Sequence, residues 1–231
     1  WVYTAANGCD SVVTLHLVYH ELVTDARDGN TYCTMKYGDQ VWMTSNMRYL
    51  PRVNNTSSTT ASLYYIYGYT NTTIPSNNTN YNIYGTLYNY NSAQTACPSG
   101  WHLPSKAEWE QLIAYLGQNS EYICNGNSTN VAMSLASTEY WSSSNNTCAV
   151  GYERSQNNAS GFSALPGGYY NGGTSGGTVQ SSNFVGITDE GGWWTSTNGQ
   201  RAQMTKTAAT VNISQKTKSW GFSVRCVKDN D

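Results

Sequence analysis

Apolar and polar positions alternate at several points along the chain, and a period of two marks a half-buried strand. From Ser11 to Tyr19, Val13, Leu15 and Leu17 share one face, after an Asn7-Gly8 turn signal. Thr31 to Met43 reads as a hairpin bent at Gly38-Asp39, and Asp28-Gly29-Asn30 is a turn ahead of it. Leu63 to Tyr69 is a Tyr-rich run expected to be a strand, and residues 81–90 have the same character. Thr205 to Ser214 looks like a hairpin with Val211 and Ile213 on one face. Phe222, Val224 and Cys226 alternate with Ser223, Arg225 and Val227 in an expected last strand. Residues 53–62 and 70–80 are Asn/Ser/Thr-rich loops, and Gly167 to Gly177 is a glycine-rich loop.

Helical spacing is clear in one place, over about 105–116. Ser105-Lys106-Ala107-Glu108 is a capping box, in which Ser caps free amides and Glu reaches back. Trp109, Leu112, Ile113 and Leu116 then form one apolar stripe, and Gly117 stands where a helix stop belongs. A shorter helix is expected over roughly Asn130 to Leu135. One clear helix among many short strands and long loops predicts an α+β fold.

Composition changes the picture from an ordinary soluble domain to an extracellular one. Charged residues are 11% of the chain, well below the usual quarter or so, and net charge is −2. No basic surface points to nucleic acid or anionic lipid. Tyr occurs 19 times against three Phe. A surface of Tyr, Asn, Ser and Thr works by hydrogen bonding and stacking, as in adhesins and paratopes. The six cysteines are dispersed, with no C-x-x-C pair. That reads as disulfides formed in an oxidising compartment, with the pairing left open. No apolar run is long enough to span a bilayer. The chain opens on Trp1 without a signal-like segment and is expected to be a processed product or a fragment.

Candidate chemistry is sparse, and neither a metal nor a cofactor is expected. His16 and His20 stand i, i+4, but on a strand pattern, where that spacing does not converge. His102 is expected to be a core histidine with a satisfied hydrogen bond. There is no Gly-x-Ser-x-Gly elbow and no Gly-Lys-Ser/Thr phosphate loop. Asp189-Glu190 alone falls short of the roughly six or more oxygens calcium takes. Trp193-Trp194 is either a ligand platform or core, with at least one ring expected in the core. Asn-x-Ser/Thr sequons begin at Asn54, Asn55, Asn71, Asn77, Asn127, Asn145, Asn158 and Asn212. Asp10-Ser11-Val12 resembles the O-glycosylation signal of Bacteroidetes, making Ser11 a further candidate.

Six ordered segments carry a resemblance. They are Asp28-Gly29-Asn30-Thr31-Tyr32; Gln40-Val41-Trp42-Met43 with Asn46-Met47; and Cys97-Pro98-Ser99-Gly100-Trp101-His102-Leu103-Pro104 with Glu108-Trp109. Gly161-Phe162-Ser163-Ala164-Leu165-Pro166-Gly167-Gly168, Trp193-Trp194-Thr195-Ser196 and Gly221-Phe222-Ser223-Val224-Arg225-Cys226-Val227-Lys228-Asp229 complete them. From about Asp28 to Asp229 the chain resembles the Fibrobacter succinogenes major paralogous domain, found in secreted and surface proteins of Fibrobacteres and Bacteroidetes. That family is similar to the formylglycine-generating-enzyme branch of the C-type-lectin fold. The resemblance implies a compact domain with its N- and C-terminal strands side by side. It also implies Cys97–Cys226 between the start of the helix and the last strand. Cys124–Cys148 would staple a loop after the helix, and Cys9–Cys33 would tie down the N-terminal strand.

Ala6 to Leu15 resembles the last strand of a surface β-sandwich repeat. Residues 1–24 are therefore read as a strand extension and 25–231 as the main domain. A formylglycine-type oxidase needs reactive or copper-binding cysteines near the domain's end; only Cys226 lies there, so no enzyme is expected. The Glu-Pro-Asn, Gln-Pro-Asp and Trp-Asn-Asp motifs of calcium-dependent sugar binding do not occur. In related folds the 198–218 region faces outward, making Gln200, Arg201, Gln203, Asn212 and Trp194 a candidate ligand surface. Two functions follow as expectations. One is a secreted, structural cell-surface protein that assembles with itself into an extracellular filament or surface layer, or with another surface protein, through the N-terminal strand that carries Val13, Leu15 and Leu17. The other is a module that binds a glycan or protein through the 198–218 hairpin.

Overall fold

The computed structural model describes residues 21–173 and 177–229, plus backbone at 3–4 and 10–11. Those two pieces, β1 (Tyr3–Thr4) and β2 (Asp10–Ser11), pair antiparallel with Tyr3 opposite Ser11. Cys9, Val13, Leu15, Leu17, His16 and His20 lie outside the described residues. The main domain begins with β3 (Leu22–Thr24), β4 (Thr31–Tyr37), β5 (Gln40–Met43) and β6 (Tyr64–Tyr65). Then come α1 (Thr79–Tyr84), β7 (Leu87–Tyr88), α2 (Tyr90–Ala93), β8 (Trp101–His102), α3 (Lys106–Gly117) and α4 (Ala132–Leu135). It ends with β9 (Gly167–Tyr170), β10 (Phe184–Ile187), β11 (Glu190–Trp194), β12 (Gln200–Thr205), β13 (Asn212–Gln215) and β14 (Val227–Lys228).

Two five-stranded sheets carry the architecture, in the orders β3-β4-β5-β14-β8 and β10-β9-β11-β12-β13. The fold is α+β, with strands dominating. The β4–β5 hairpin turns at Gly38, whose φ of +60° suits a residue without a Cβ. Helix α3 starts where its capping box does: Ser105 Oγ accepts from Glu108 N, and Glu108 Oε2 accepts from Ser105 N at 2.7 Å. Trp109, Leu112 and Leu116 are its buried face. Gly117 is not the stop that was expected but the last helical residue. A Cβ there would lie 2.4 Å from the Ser128 carbonyl oxygen, so glycine is needed for close approach.

Two of three core clusters meet at β11. Successive strand residues face opposite ways. Trp194 therefore enters a cluster with Tyr64, Tyr88, Phe222 and Val224. Trp193 enters a second, with Trp42, Trp109, Leu112 and Phe162. A third holds Tyr65, Tyr170, Val179 and Phe184. Cys97–Cys226 (S–S 2.04 Å) and Cys124–Cys148 (2.03 Å) are bonded. Cys33 is exposed and makes no bond to a described residue; Cys9, its expected partner, is outside them.

Several expectations need correction. Residues 81–90 are strand only at β7; on either side of it lie α1 and α2, capped by Asn78 and Asn89, each side chain accepting a helix amide. The Leu63–Tyr69 strand shrinks to two residues. The glycine-rich loop opens as strand β9. A Cβ on Gly168 would strike Val185 O at 2.5 Å, so glycine lets β9 and β10 pass closely. The 205–214 hairpin is longer, with β12 starting at Gln200 and Gln203 opposite Asn212. The last strand is regular only at β14. Before it, Phe222 to Cys226 runs between Tyr88 and Trp193, so Ser223 and Arg225 are as buried as the apolar residues they alternate with.

Candidate functional site

The motif residues assemble first, around Asn46. Its Nδ2 donates to Tyr84 O (2.9 Å) and to Ser223 Oγ (3.3 Å). Its Oδ1 accepts from Trp193 Nε1 (2.8 Å) and Arg225 Nη2 (3.3 Å). Arg225 also donates to the carbonyls of Phe162 and Ser163, and its guanidinium lies 4.2 Å from the Phe162 ring centroid. All of these side chains are buried. Burial pulls the Arg225 pKa down to about 9, so it stays charged at neutral pH, held by carbonyls and ring faces. The network joins β11, the C-terminal run and the segments after β5 and before β9. It is a framework closed to any ligand.

A second polar cluster sits at the foot of α3. His102 Nδ1 lies 2.7 Å from Asp229 Oδ1, and Nε2 lies 2.7 Å from Glu108 Oε1. Ionised carboxylates only accept, so both nitrogens must carry hydrogen and the ring is an imidazolium. Burial works against the charge, but bonds to Glu108 and Asp229 outweigh it and raise the His102 pKa. Burial likewise opposes the Glu108 charge, yet bonds from Ser105 and His102 hold its pKa down. His102 is 37% exposed, not the core histidine expected, though both its nitrogens are satisfied. Ser105 Oγ donates to Glu108 Oε2 at 2.8 Å and not to the imidazole. The carboxylate stands between hydroxyl and ring. The cluster ties β8 and the end of the chain to a helix N-terminus.

The third candidate is the β11–β12–β13 face. Glu190, Gly192, Trp194, Arg201 and Gln203 share it by register, with Ser214 and Asn212 opposite Arg201 and Gln203. At one end it is closed. Trp194 is buried against Phe222 (centroids 4.8 Å) and Tyr90 (5.3 Å), and donates to Tyr88 O. Arg201 is 2% exposed, ion-paired to Glu190 and lying 4.6 Å from the Phe222 ring. Trp194 and Arg201 are therefore not ligand surface, contrary to expectation. Gly192 makes this possible, since a Cβ there would meet Phe222 at 2.8 Å and Arg201 at 2.9 Å.

Toward the other end the face opens. Asn212 is exposed, and Gln203, Thr205 and Ser214 are half-buried. Gln200 is half-buried and, by alternation, on the opposite face. Tyr169 and Trp220, both half-buried, stack at 5.3 Å with 8° between their planes, and both rings pack on Phe222. Lys216 Nζ lies 5.5 Å from the Trp220 ring. Tyr169 and Trp220 were not singled out from the sequence; they are distant along the chain and only β9 and the C-terminal run bring them together.

The acidic pair Asp189-Glu190 is divided: Asp189 binds Lys206 (2.9 Å) and Glu190 binds Arg201. Among the described residues no three His, Cys, Asp or Glu stand together as a metal site. No described helix is long and apolar enough to cross a membrane. Of the sequon asparagines, Asn71, Asn77, Asn127, Asn145 and Asn212 are exposed, while Asn54, Asn55 and Asn158 are half-buried. Asn54 Oδ1 accepts from Tyr64 N, so its amide side chain is already structural.

No curated protein and no solved structure matches the chain. The Fibrobacter succinogenes major domain matches residues 35–228, a span that holds the Asn46–Trp193–Arg225 network and the Cys97–Cys226 bond. By that match over most of its length, the chain belongs to the Fibrobacter succinogenes major domain family.

Proposed function

We propose that this chain is a secreted, non-catalytic surface module of C-type-lectin-like fold. It binds an extracellular glycan or protein through the open half of the β11–β13 face. The observation that carries this reading is the hairpin's division: one half is sealed by Phe222 and Tyr90, while Gln203, Thr205, Ser214 and Asn212 stay half-buried or exposed. Exposed amides and hydroxyls suit a polar, uncharged or lightly charged partner. Secretion is supported by two disulfides, which persist in oxidising compartments. The lectin-like fold is supported by β5 and β14 lying side by side, with Val227 opposite Trp42. The test is a glycan array and an extracellular-protein array probed with the intact chain and with a Gln203→Ala, Asn212→Ala double variant. Binding that the double variant loses supports the reading; no binding, or binding it retains, sinks it.

Self-assembly is a second reading, favoured by one observation. Among the described residues β3 pairs only with β4, and Leu22 on it is 61% exposed, so an edge is open to an added strand. Sedimentation of the intact chain decides it: a monomer at all concentrations removes this reading.

A further inference from the structure

The sheet that carries the β11–β13 face has two edges, and they differ. At one, β10 is kinked at Gly186, whose φ is +79°, so its row of backbone groups is broken. At the other lies β13, regular from Asn212 to Gln215 and paired with β12 alone among the described residues. The bonding pattern shows which of its groups are free. Lys216 N donates to Gly199 O at 2.8 Å, one step beyond the Gln200–Gln215 pair. In an antiparallel ladder, pairs that exchange bonds alternate with pairs that do not. Ser214 and Asn212 therefore bond to Arg201 and Gln203, while Ile213 and Gln215 turn their N–H and C=O groups outward. Among the described residues nothing bonds to those outward groups.

Such a row of backbone donors and acceptors matches another extended backbone. The side chains along the edge specify what that backbone carries. Val211 and Ile213 are half-buried and pack against the core cluster that holds Trp193 and Ala202. Alternate residues of an added strand would extend this apolar row, and those between would lie beside Asn212 and Ser214. Just past β13 stand Lys216 and Lys218. Their ammonium groups lie 5.5 Å from the Trp220 ring and 4.9 Å from the Tyr90 ring, and neither is ion-paired with a described residue. The acids of the same sheet are already held, Glu190 by Arg201 and Asp189 by Lys206. A strand added antiparallel to β13 brings its N-terminal residues to these lysines. We propose that the outer edge of β13 takes up an extended segment of an extracellular protein, with alternating apolar and polar residues and acidic residues at its N-terminal end. This rests on the reading of the β11–β13 face as a binding surface, and it names the partner as protein and not glycan.

The experiment measures, by fluorescence anisotropy, binding of the labelled peptide Asp-Asp-Val-Thr-Val-Thr-Val to the intact chain. One control peptide opens with Lys-Lys in place of Asp-Asp, and another has Pro at the central Val. The acidic peptide is expected to bind at sub-millimolar concentration and both controls at least about tenfold more weakly. Ile213→Pro removes an outward N–H and no bond to β12, so it should abolish binding while near-UV circular dichroism stays unchanged. Lys216→Glu with Lys218→Glu, at side chains outside the core, should reverse the preference toward the Lys-Lys peptide. The proposal is overturned if the acidic peptide does not bind, if the Pro peptide binds as tightly, or if the double charge reversal leaves the preference unchanged. Glycan binding on the arrays with no peptide bound overturns strand addition and leaves the face a glycan site. Peptide binding that a folded Ile213→Pro variant retains overturns strand addition and leaves the face a protein site.

Discussion

Two arginines mark the contrast between the buried network and the β11–β13 face. Among the described residues Arg225 has no carboxylate beside it: carbonyls, the Asn46 amide and the Phe162 ring hold it. Arg201 has Glu190, and beyond that pair the face opens to Gln203 and Asn212. The first arrangement uses the motif residues Asn46, Phe162, Trp193, Ser223 and Arg225 to fix chain segments to each other. The second uses polar residues outside the motifs and leaves several of them half-free. Family membership therefore speaks for the framework, and binding has to be sought on surfaces the motifs do not occupy.

The contrast can be broken at its strongest point by removing the bonds that close the framework. The Cys97–Cys226 bond joins residues 129 apart and Cys124–Cys148 residues 24 apart. Chain entropy predicts losses of about 5 and about 3.5 kcal/mol for the paired serine substitutions. Urea unfolding should rank them in that order, and equal midpoints would mean the long-range bond adds no more than the local one. Trp193→Ala should cost about 3–5 kcal/mol, because it empties core volume and strips Asn46 of a donor. Trp220→Ala, at a half-buried position, should cost roughly 1 kcal/mol. Thermal melts showing the two tryptophans to be equivalent would erase the distinction.

The His102 cluster lies between these extremes and titrates. Its folded pKa is raised from the usual 6.5, so its contribution is full below that value and is lost as pH rises through the folded one. Glu108, lowered from 4.5, contributes above that value and loses its share as pH falls through the folded one. Stability should peak between the two, and His102→Gln should flatten the alkaline side of a Tm-against-pH curve. A wild-type curve already flat there would show that the imidazolium holds nothing. Least of all in stability, Gln203→Ala and Asn212→Ala should each stay within about 0.5 kcal/mol of the parent while binding is lost. A large drop in Tm would place these residues in the framework after all.

The α3 helix was legible because its signals are local: a capping box and an apolar stripe within twelve residues. The β4–β5 hairpin was legible for the same reason, since its turn announces itself at Gly38-Asp39. The α1 and α2 helices were not. Their caps, Asn78 and Asn89, are indistinguishable from the many other asparagines, and Tyr84, Tyr88 and Tyr90 are buried whatever face they occupy. At the candidate site, Gln203 and Asn212 were visible as polar hairpin residues. Trp194 and Arg201 looked the same from sequence, and only Phe222 arriving over Gly192 buries them.

By itself the sequence determined the α+β class, the capped helix, the main hairpins and, through its ordered motifs, the family. Each of these is written in residues close together or in fixed order, where local sterics and periodicity suffice. The tertiary structure alone decided which face of the 200–215 hairpin stays open and that Arg225 needs no counter-ion. It alone brought Tyr169 to Trp220 and left β13 at the edge of its sheet. Those facts depend on segments distant in sequence packing against one another, and burial at such contacts has no local signature in the chain.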